Sequence, residues 1–400
     1  MGPLEGLRVI ELAHIMSGPT AGMLLADMGA DVIKVERIPG GDDTRRFAPP
    51  KVNGEASAFL MMNRNKRGIA LDLKQPMARA ALERIIARSD VLIENFRTGT
   101  MDRLGLGYEA LSAAHPALIY CSVSGYGRTG PDADKGGFDL VAQGLSGLMR
   151  ITGQPGGPPT KVGSPVTDIN AGILAALGIV SAYVHRLKTG NGQLVDTSLL
   201  EAGVMQTFWQ SAIFIGSGSE PGALGSAHPL TAPYQAFQTA DGWITVGASN
   251  QANYARLVDV LGAPELLGDE RFADNASRMR NLPELVRVLT ARFVQKPSAA
   301  WLALLDEAGV PAGPVLDIAD MLQHPQVVAR DMVIETNHPS VGRTRAIGCP
   351  IKFSRSPTAV QRPAPRFGEH SAEVLREFGL GESDVAALLA SGAAVQHAPS

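Results

Sequence analysis

The chain has 400 residues, of which 45% are hydrophobic and 19% are charged, and its formal net charge is −3. These values are typical of a globular protein with a large core, and they exclude a broad basic field for nucleic acid or anionic lipid. Cys121 and Cys349 are the only cysteines, and their wide separation in sequence excludes a disulfide framework or a cysteine metal cluster.

The N-terminal segment MGPLEGLRVIEL has no charged region followed by an apolar one, so we expect no secretory signal. No apolar run reaches the roughly 18 residues that suggest a membrane span. We therefore predict a cytoplasmic protein with no membrane partner, or a mitochondrial matrix protein if the source is eukaryotic and a transit peptide has been removed.

Strand and helix signals alternate over the first 125 residues. The predicted strands are 7–13, 31–36, 67–73, 91–96 and 117–126, and the predicted helices are 17–29, 75–90 and 100–115. Alternation of helices with strongly apolar strands predicts an α/β fold with a mostly parallel sheet covered on both faces.

The pattern changes after residue 138. Residues 138–217 are predicted to be mainly helical, and the Gly/Ser/Pro-rich segment 216–229 is predicted to be a linker or an active-site loop. An α+β segment follows, with a hairpin that turns at Asp241-Gly242. Its predicted helices are 250–262, 282–295 and 298–309. The tail from about 330 returns to strands and ends in two short helices.

The segment GYGRTGP (125–131) matches the G-x-G-x-x-G pattern of dinucleotide-binding turns. Such a turn must open a helix, whereas Pro131 and DADKGG follow here without helical periodicity. We interpret the segment as a loop near the active site. Because the histidines are scattered and no G-x-S-x-G or H-E-x-x-H pattern occurs, we predict neither a serine triad nor a metal site.

Basic residues cluster in three early segments: Lys34, Arg37, Arg45 and Arg46 in KVERIPGGDDTRRF, on a post-strand loop; Arg64, Lys66 and Arg67 in NRNKRG; and Arg97 and Arg103 after the strand VLIENF. Loops at the carboxyl ends of parallel strands form the usual ligand crevice of such sheets. The set suits a polyanionic ligand such as a nucleotide phosphate. Solvated surface charges are the alternative for each of them.

Asp168 stands in VGSPVTDINAGIL, where a proline-containing stretch leads into a long apolar run. It is predicted to lie at a helix N-terminus, where an aspartate is a favourable cap. The same position would keep the carboxylate ionised and place N–H groups near it, which suits a covalent nucleophile that attacks an acyl group. The residue pattern alone leaves both roles open.

The order of the motifs resembles that of the family III CoA-transferases, which include formyl-CoA transferase and the related α-methylacyl-CoA racemases. The resemblance rests on PLEGLRVIELAHIMSGPTAGMLLADMGADVIKVERIPGGDDTR, NRNKRGIALDLK, SDVLIENFRTG, LGLGYEAL, IYCSVSGYGRTGP, GFDLVAQGLSGLM and GVPAGPV, and covers nearly the whole chain. GDDTR and GSAHPLTAPYQAFQTADG are most similar to the succinyl-CoA:glutarate type, which handles dicarboxylic acids.

The resemblance implies Asp168 as the catalytic residue, acting through an aspartyl anhydride and an aspartyl-CoA thioester. It implies CoA contacts at Ile15, Met16, Ser17, Arg37, Asn95, Phe96 and Arg103. No cofactor is expected to be bound permanently, since CoA thioesters and carboxylic acids are the substrates. Arg45, Arg46 and His228 are further candidates for contact with a second substrate carboxylate.

Two departures from the family pattern bear on the substrate. Formyl-CoA transferase has glutamine in place of Met16 and tyrosine in place of Phe138, and its glycine-rich loop is replaced here by GSAHP after Leu224, which argues against formate or oxalate. The racemases use a histidine base in a GHD-like motif, which reads Gly137-Phe138-Asp139 here. Phenylalanine cannot move a proton, so transferase activity is favoured over racemase activity, and Asp139 is interpreted as structural.

The resemblance also implies the architecture. We expect a Rossmann-like large domain built from 1–217 and 325–400, with a small α+β domain, 218–324, inserted between its two parts. Two chains are expected to interlock as a homodimer.

Overall fold

The structure is a computed structural model that describes residues 2–48 and 50–397. Its strands are β1 Arg8–Glu11, β2 Asp31–Arg37, β3 Lys51–Val52, β4 Glu55–Ala56, β5 Lys66–Leu71, β6 Val91–Glu94, β7 Ile119–Ser124, β8 Leu194–Ser198, β9 Tyr234–Gln238, β10 Trp243–Gly247, β11 Ala312–Pro314, β12 Val333–His338, β13 Gly342–Ile347 and β14 Ala394–Val395. Its helices are α1 Ser17–Asp27, α2 Ser57–Met62, α3 Pro76–Ile86, α4 Thr100–Arg103, α5 Tyr108–Ala114, α6 Asp139–Leu145, α7 Leu148–Ile151, α8 Val166–Thr189, α9 Leu199–Met205, α10 Phe208–Ser217, α11 Gln251–Val260, α12 Asn275–Arg280, α13 Leu282–Phe293, α14 Ser298–Glu307, α15 Ile318–Gln323, α16 Pro325–Ala329, α17 Ser371–Glu377 and α18 Glu382–Ala390.

The chain divides into two compact units. The large unit comprises Met1–Leu148, Val162–Gln206 and Gln326–Ser400, and the small unit comprises Met149–Lys161 and Thr207–Pro325. Compared with the predicted small domain of 218–324, the small unit begins earlier and takes in 149–161. The backbone explains the second difference, because the Gly225 N–H donates to the Gly153 carbonyl at 2.8 Å within this unit.

The large unit is built on a seven-stranded sheet in the order β14-β5-β2-β1-β6-β7-β8. The neighbours from β5 to β8 pair in parallel, and β14 pairs antiparallel with β5, so the predicted mostly parallel sheet is confirmed. Strand β8 was not predicted, since its five residues lie in a segment interpreted as mainly helical. It is an edge strand and its burial is incomplete, so its sequence lacks the apolar run that marks the central strands.

The central strands are apolar on both faces because both faces are covered. Val9 packs into a core cluster with α1 and α8 residues, whereas its neighbour Ile10 packs into a cluster with α3, α17 and α18 residues. Val32 and Ile33 divide between the same two clusters in the same way. Successive residues of a strand point to opposite faces, so an unbroken apolar run supplies two cores at once.

The strand order changes direction between β1 and β6. From β1 the chain proceeds outward through β2 and β5, and it then crosses to β6 and proceeds outward through β7 and β8 on the other side. In such doubly wound sheets the ligand crevice lies outside the carboxyl ends of the strands at this switch point. The loops after β1 and β6 are therefore where a ligand site is expected.

Helix α8 corrects the prediction that no apolar run is long enough for a membrane span. Among the described residues it is the one helix that is long and apolar enough to cross a membrane, by length and composition. The core helix of a soluble protein meets the same criteria, so they are weak evidence. Here Ala171, Ala175 and Ile179 are buried in the core of the large unit.

The small unit contains a three-stranded antiparallel sheet in the order β11-β10-β9. The predicted hairpin is confirmed as β9 and β10, and the three predicted helices are confirmed as α11, α13 and α14. Aromatic side chains fill its core. Phe293 lies 5.0 Å from the Phe237 ring, and its carbonyl accepts a hydrogen bond from the Trp301 indole at 2.7 Å.

Candidate active site

A cavity of about 360 Å³ opens at the switch point of the large sheet. Its lining comes from the segments after β1, β2, β6 and β7, together with the first turn of α8. The lining residues are His14, Ile15, Met16, Ser17, Arg37, Asp43, Asn95, Phe96, Arg97, Thr98, Val123, Ser124, Gly125, Lys135, Gly136, Gly137, Phe138, Asp168 and Leu199. Asp168 and all of the predicted CoA contacts except Arg103 are in this set, whereas the further candidates Arg45, Arg46 and His228 are not.

The loop after β1 is fixed to the loop after β6 by the side chain of Asn95. Its Oδ1 accepts the His14 N–H at 2.8 Å, and its Nδ2 donates to the His14 carbonyl at 2.8 Å and to the Ser17 Oγ at 3.3 Å. The ring of Phe96 lies 5.2 Å from that of His14. The predicted residues from both loops thus form one surface.

Asp168 reaches this surface because α8 crosses α1 at a glycine. A Cβ atom on Gly172 would lie only 2.5 Å from the Ser17 carbonyl oxygen and 2.7 Å from the Thr20 Cβ. Gly172 lies one helical turn after Asp168, and Ser17 is the first residue of α1. The crossing therefore brings the first turn of α8 to the start of α1.

Asp168 lies in the first turn of α8, as predicted, but it does not cap the helix. The N-cap residue is Pro165, whose own side chain makes no capping hydrogen bond. Asp139, the first residue of α6, holds this end of α8 instead. Its Oδ1 accepts the Thr167 N–H at 3.0 Å and the Thr167 hydroxyl at 2.7 Å, while its Oδ2 accepts from Gln143 at 2.8 Å. Asp139 therefore has the structural role expected of it.

The charge state of Asp168 also differs from the sequence expectation. Burial, with a smaller contribution from the negative charge of Asp139, raises the pKa of this carboxyl to about 7. A helix N-terminus was expected to keep the group ionised. Burial outweighs that effect because no described residue donates a hydrogen bond to the Asp168 carboxylate.

Four of the nine basic residues that the sequence suggests as phosphate ligands are buried in ion pairs, namely Lys34, Arg64, Lys66 and Arg67. The Lys34 and Lys66 ammonium groups are fully buried against carboxylates, and the Arg64 guanidinium is paired with Asp27. Arg67 is likewise paired with Asp31, Glu373 and Glu377. Within the described chain, Arg37, Arg97 and Lys135 are the cations that line the cavity.

Arg45 and His228 occupy different surroundings. The Arg45 guanidinium donates twice to Glu36 at 2.7 Å and once to the Pro365 carbonyl, and it lies 3.5 Å from the Phe59 ring centroid. It is therefore engaged in the fold of the large unit. His228 belongs to the small unit, where its ring lies between those of Trp209 and Tyr234.

Arg103 lies at the end of α4, outside the cavity lining. Its guanidinium donates to the Thr100 hydroxyl at 3.0 Å, and the side chain is exposed. Its assignment as a CoA contact stays a prediction.

The GYGRTGP segment is a loop, and the helix that follows it begins only at Asp139. Gly125 and Gly137 meet backbone to backbone, since a Cβ on Gly137 would lie 2.3 Å from the Gly125 Cα. This contact places Phe138, which is 65% exposed, at the cavity. The interpretation as a loop at the site, rather than a dinucleotide turn, is confirmed.

Sequence reasoning did not assign His14, Asp43 and Lys135 to the site, although all three line the cavity. His14 and Asp43 lie inside the first recognised motif and Lys135 lies between two later ones, and these positions were the available signal. The residues described hold no group of three histidine, cysteine, aspartate or glutamate side chains that could bind a metal ion.

The chain is similar to known CoA-transferases over most of its length. The sequence profile of CoA-transferase family III matches residues 4–371. The mouse succinyl-CoA:glutarate CoA-transferase is 39% identical over 99% of this chain and 91% of its own. The succinate–glutarate CoA-transferase of Agrobacterium fabrum is 40% identical over 94% of this chain and 96% of its own.

An acetyl-CoA:oxalate CoA-transferase of Acetobacter aceti is also 40% identical, over 96% of this chain and 97% of its own. Among solved structures, a CAIB/BAIF family protein from Brucella suis has a TM-score of 0.84 and 40% identity, covering 94% of this chain and 99% of that one.

The Gly125–Gly137 contact should not tolerate a side chain. We expect Gly137→Ala to destabilise the protein by about 1–3 kcal/mol, because a methyl group cannot fit against the Gly125 backbone. Urea unfolding measures this change. Gly136→Ala is the control. The nearest neighbour of its methyl group would be the Arg97 guanidinium at 3.1 Å, and this flexible side chain can move aside. Equal stability of the two variants would contradict the contact.

The raised pKa of Asp168 predicts a pH-dependent effect on stability. Its folded-state pKa of about 7 lies above the ordinary value of 3.8, so the folded state holds the proton more tightly and loses stability as the pH rises toward 7. Asp168→Asn removes this loss. We expect the variant to gain about 2 kcal/mol more over the parent at pH 8 than at pH 5 in urea unfolding.

The control for this measurement is Asp241→Asn in the small unit. Hydrogen bonds from Ser298 lower the pKa of Asp241, so its carboxylate stabilises the fold at neutral pH and loses that contribution as the pH falls. Its substitution should therefore have the opposite sign. A pH-independent effect of Asp168→Asn would show that Asp168 ionises as an ordinary exposed carboxyl does.

Proposed function

The chain belongs to CoA-transferase family III and is an enzyme that transfers CoA, and we propose that it moves CoA from succinyl-CoA to a dicarboxylic acid with Asp168 as the covalent nucleophile. The observation that carries the proposal is the placement of the Asp168 carboxylate in the cavity formed by the loops after β1 and β6. The proposed nucleophile therefore lies in the crevice where a ligand is expected to bind.

In the first half of the proposed reaction, an Asp168 oxygen attacks the thioester carbonyl carbon of the donor. The C–S bond breaks, CoA leaves as a thiolate, and Asp168 becomes a mixed anhydride. The thiolate then attacks the Asp168 carbonyl carbon of the anhydride. The donor carboxylate leaves, and CoA is held as a thioester of Asp168.

The second half repeats these steps with the acceptor. The acceptor carboxylate attacks the aspartyl thioester, which releases the CoA thiolate and forms a new anhydride. The thiolate attacks the acceptor's acyl carbon, so the acceptor leaves as its CoA thioester and the Asp168 carboxylate is regenerated. Every bond that forms on Asp168 is broken again, so one side chain suffices.

The CoA moiety is proposed to bind along Ile15, Met16, Ser17, Arg37, Asn95 and Phe96, with Arg103 reaching it from outside the cavity lining. The exposed cationic ends of Arg37 and Arg97 suit its phosphates. No cofactor bound permanently is needed, because the chemistry uses only the substrates and Asp168.

The acceptor is proposed to be a dicarboxylic acid. Relatives named for glutarate and for oxalate are equally similar to this chain, at 40% identity each. The departures at Met16 and Phe138 therefore do not exclude oxalate, and both acids belong in an acceptor screen. Racemase activity is disfavoured because Phe138, at the cavity, replaces the histidine base of the racemases.

The protein is proposed to act as an interlocked homodimer. Within the large unit, α8 exposes apolar side chains along one face, namely Ile173, Leu177, Val184 and Leu187. In the small unit, α10 exposes Phe208, Trp209, Phe214 and Ile215. Apolar surface of this extent on a water-exposed helix is typical of a protein–protein interface.

Transfer activity tests the nucleophile. The protein is incubated with succinyl-CoA and glutarate, oxalate or other acids, and new acyl-CoA is measured by mass spectrometry. We expect Asp168→Asn to reduce transfer by at least about 1,000-fold, since the proposed acyl intermediate forms on the Asp168 carboxylate. Hydroxylamine should trap an Asp168 adduct in the parent protein only.

Asp90→Asn is the matched control, because Asp90 is paired with Arg186 at the amino end of β6 and lies outside the cavity. It should keep full transfer activity. An active Asp168→Asn variant would disprove the role of Asp168. Proton exchange at the α-carbon in deuterated water, without any acceptor acid, would instead favour a racemase.

The dimer is tested by light scattering after size-exclusion chromatography. We expect twice the chain mass of 42.1 kDa, unchanged on dilution to nanomolar concentration, because interlocked chains separate only by unfolding. Leu177→Glu should destabilise the dimer, whereas Glu5→Gln on an exposed turn of the large unit should not. A monomer at micromolar concentration would contradict the proposal.

A further inference from the structure

We propose that Asp42, oriented by the buried Lys34, is a positioning residue for the acyl-CoA site and acts by holding the backbone of Ile15 in a left-handed conformation. This inference rests on the proposed function of the cavity. It adds residues that lie behind the cavity wall and that do not belong to its lining.

The backbone of Ile15 has an unfavourable conformation. Its φ is +66°, in the left-handed region, which is strongly unfavourable for a β-branched residue. Ile15 lines the cavity between His14 and Met16. Strained residues of this kind persist only where the surrounding structure holds them, and they concentrate at ligand sites.

Asp42 is the group that holds Ile15. The Ile15 N–H points at its carboxylate, 3.2 Å from Oδ1 and 3.3 Å from Oδ2. The same carboxylate accepts the Thr44 N–H at 2.9 Å and the Thr44 hydroxyl at 2.8 Å. Its Oδ2 lies 2.8 Å from the Lys34 Nζ. The carboxylate is thus fixed in orientation from several directions.

Lys34 connects this contact to a fully buried charge cluster. Its Nζ also donates to Glu11 Oε1 at 2.8 Å and to the Ala13 carbonyl at 3.0 Å, and Glu11 Oε2 lies 2.7 Å from the Lys66 Nζ. The four side chains have no exposed surface. Two positive and two negative charges therefore balance one another away from solvent.

A balanced buried cluster has one favourable arrangement, because moving one member leaves another charge without its partner. Lys34 and Asp42 hold the loop after β1 at Ala13 and at Ile15. From the opposite side, Asn95 holds it at His14 and Ser17. The loop is therefore in its binding conformation before acyl-CoA arrives, which reduces the ordering cost of binding.

The first test is Asp42→Asn, which keeps the shape but places an NH₂ group against the Ile15 N–H or the Lys34 ammonium. We expect the KM for acyl-CoA to rise at least about tenfold while kcat changes little, because the loop is loosened and Asp168 is untouched. Circular dichroism and urea unfolding establish that the variant is folded.

Two further variants keep the test valid if Asp42→Asn does not fold. Lys34→Met combined with Asp42→Asn removes one charge of each sign and leaves the Glu11–Lys66 pair intact. Thr44→Val removes only one hydrogen bond to Asp42. Each should raise the KM for acyl-CoA in the same direction, and the effect of Thr44→Val should be the smaller. An unchanged KM in a folded variant would overturn the proposal.

A double-mutant cycle with Ile15→Gly separates positioning from general destabilisation. Glycine adopts positive φ without strain, so the contact with Asp42 is needed less. In the Ile15→Gly background, Asp42→Asn should therefore raise the KM by no more than about threefold. Equal fold-changes in both backgrounds would show that Asp42 does not act through Ile15, and would overturn the inference.

Asp27→Asn is the matched control. Asp27 is fully buried and paired with Arg64, as Asp42 is with Lys34, but the hydrogen bonds that the described residues make to its carboxylate come from Arg64 and Asn65 and not from the loop after β1. It should lower stability and leave the KM unchanged. Failure of the parent protein to transfer CoA would refute the proposed function, whereas a transferring parent with an additive cycle would refute only the role of Asp42.

Discussion

Helix α8 can bring Asp168 beside the loop after β1 only because it approaches α1 at Gly172, where any side chain would collide with the Ser17 carbonyl. A second glycine of α8, Gly178, lies against Val195 of β8, where a Cβ would be 2.6 Å from the valine side chain. The two glycines thus allow α8 to pack closely against α1 and β8. If either approach were wider, Asp168 would withdraw from the surface formed by the loops after β1 and β6.

Positively charged side chains have two physically distinct roles in the large unit. Arg67 meets Glu373 and Glu377, which are more than three hundred residues away in sequence, and Arg45 meets the Pro365 carbonyl. These cations join the C-terminal segment to the N-terminal half of the large unit. Arg37, whose guanidinium is paired with Asp43, and Arg97 are exposed at the crevice, where a polyanion can reach them. In the sequence both kinds lie in similar basic segments and look alike.

The sequence predicts those features of the molecule that depend on local signals. The central strands were predicted correctly because their apolar runs and short connections are local signals. The cavity was predicted in outline because the carboxyl ends of parallel strands meet at one edge. The partners of Lys34, Arg64 and Arg67 come from distant segments, so no local pattern could distinguish a buried ion pair from a ligand contact. The CoA contacts proposed for Ile15 and Met16 came from family resemblance, not from any physical signal in their residue types.

Asp168 shows why a cap and a nucleophile are different uses of one position. A capping aspartate accepts N–H groups, which lowers its pKa and occupies its oxygens. Here Asp139 accepts the Thr167 N–H instead, and Asp168 keeps its oxygens free in a buried site where its pKa is about 7. Near neutral pH about half of the Asp168 carboxyls are therefore ionised. A carboxylate of this basicity is a stronger nucleophile than an ordinary one, since nucleophilicity rises with basicity, and enough of it is ionised to react. Transfer of the capping role to Asp139 is thus the structural condition for the chemistry proposed at Asp168.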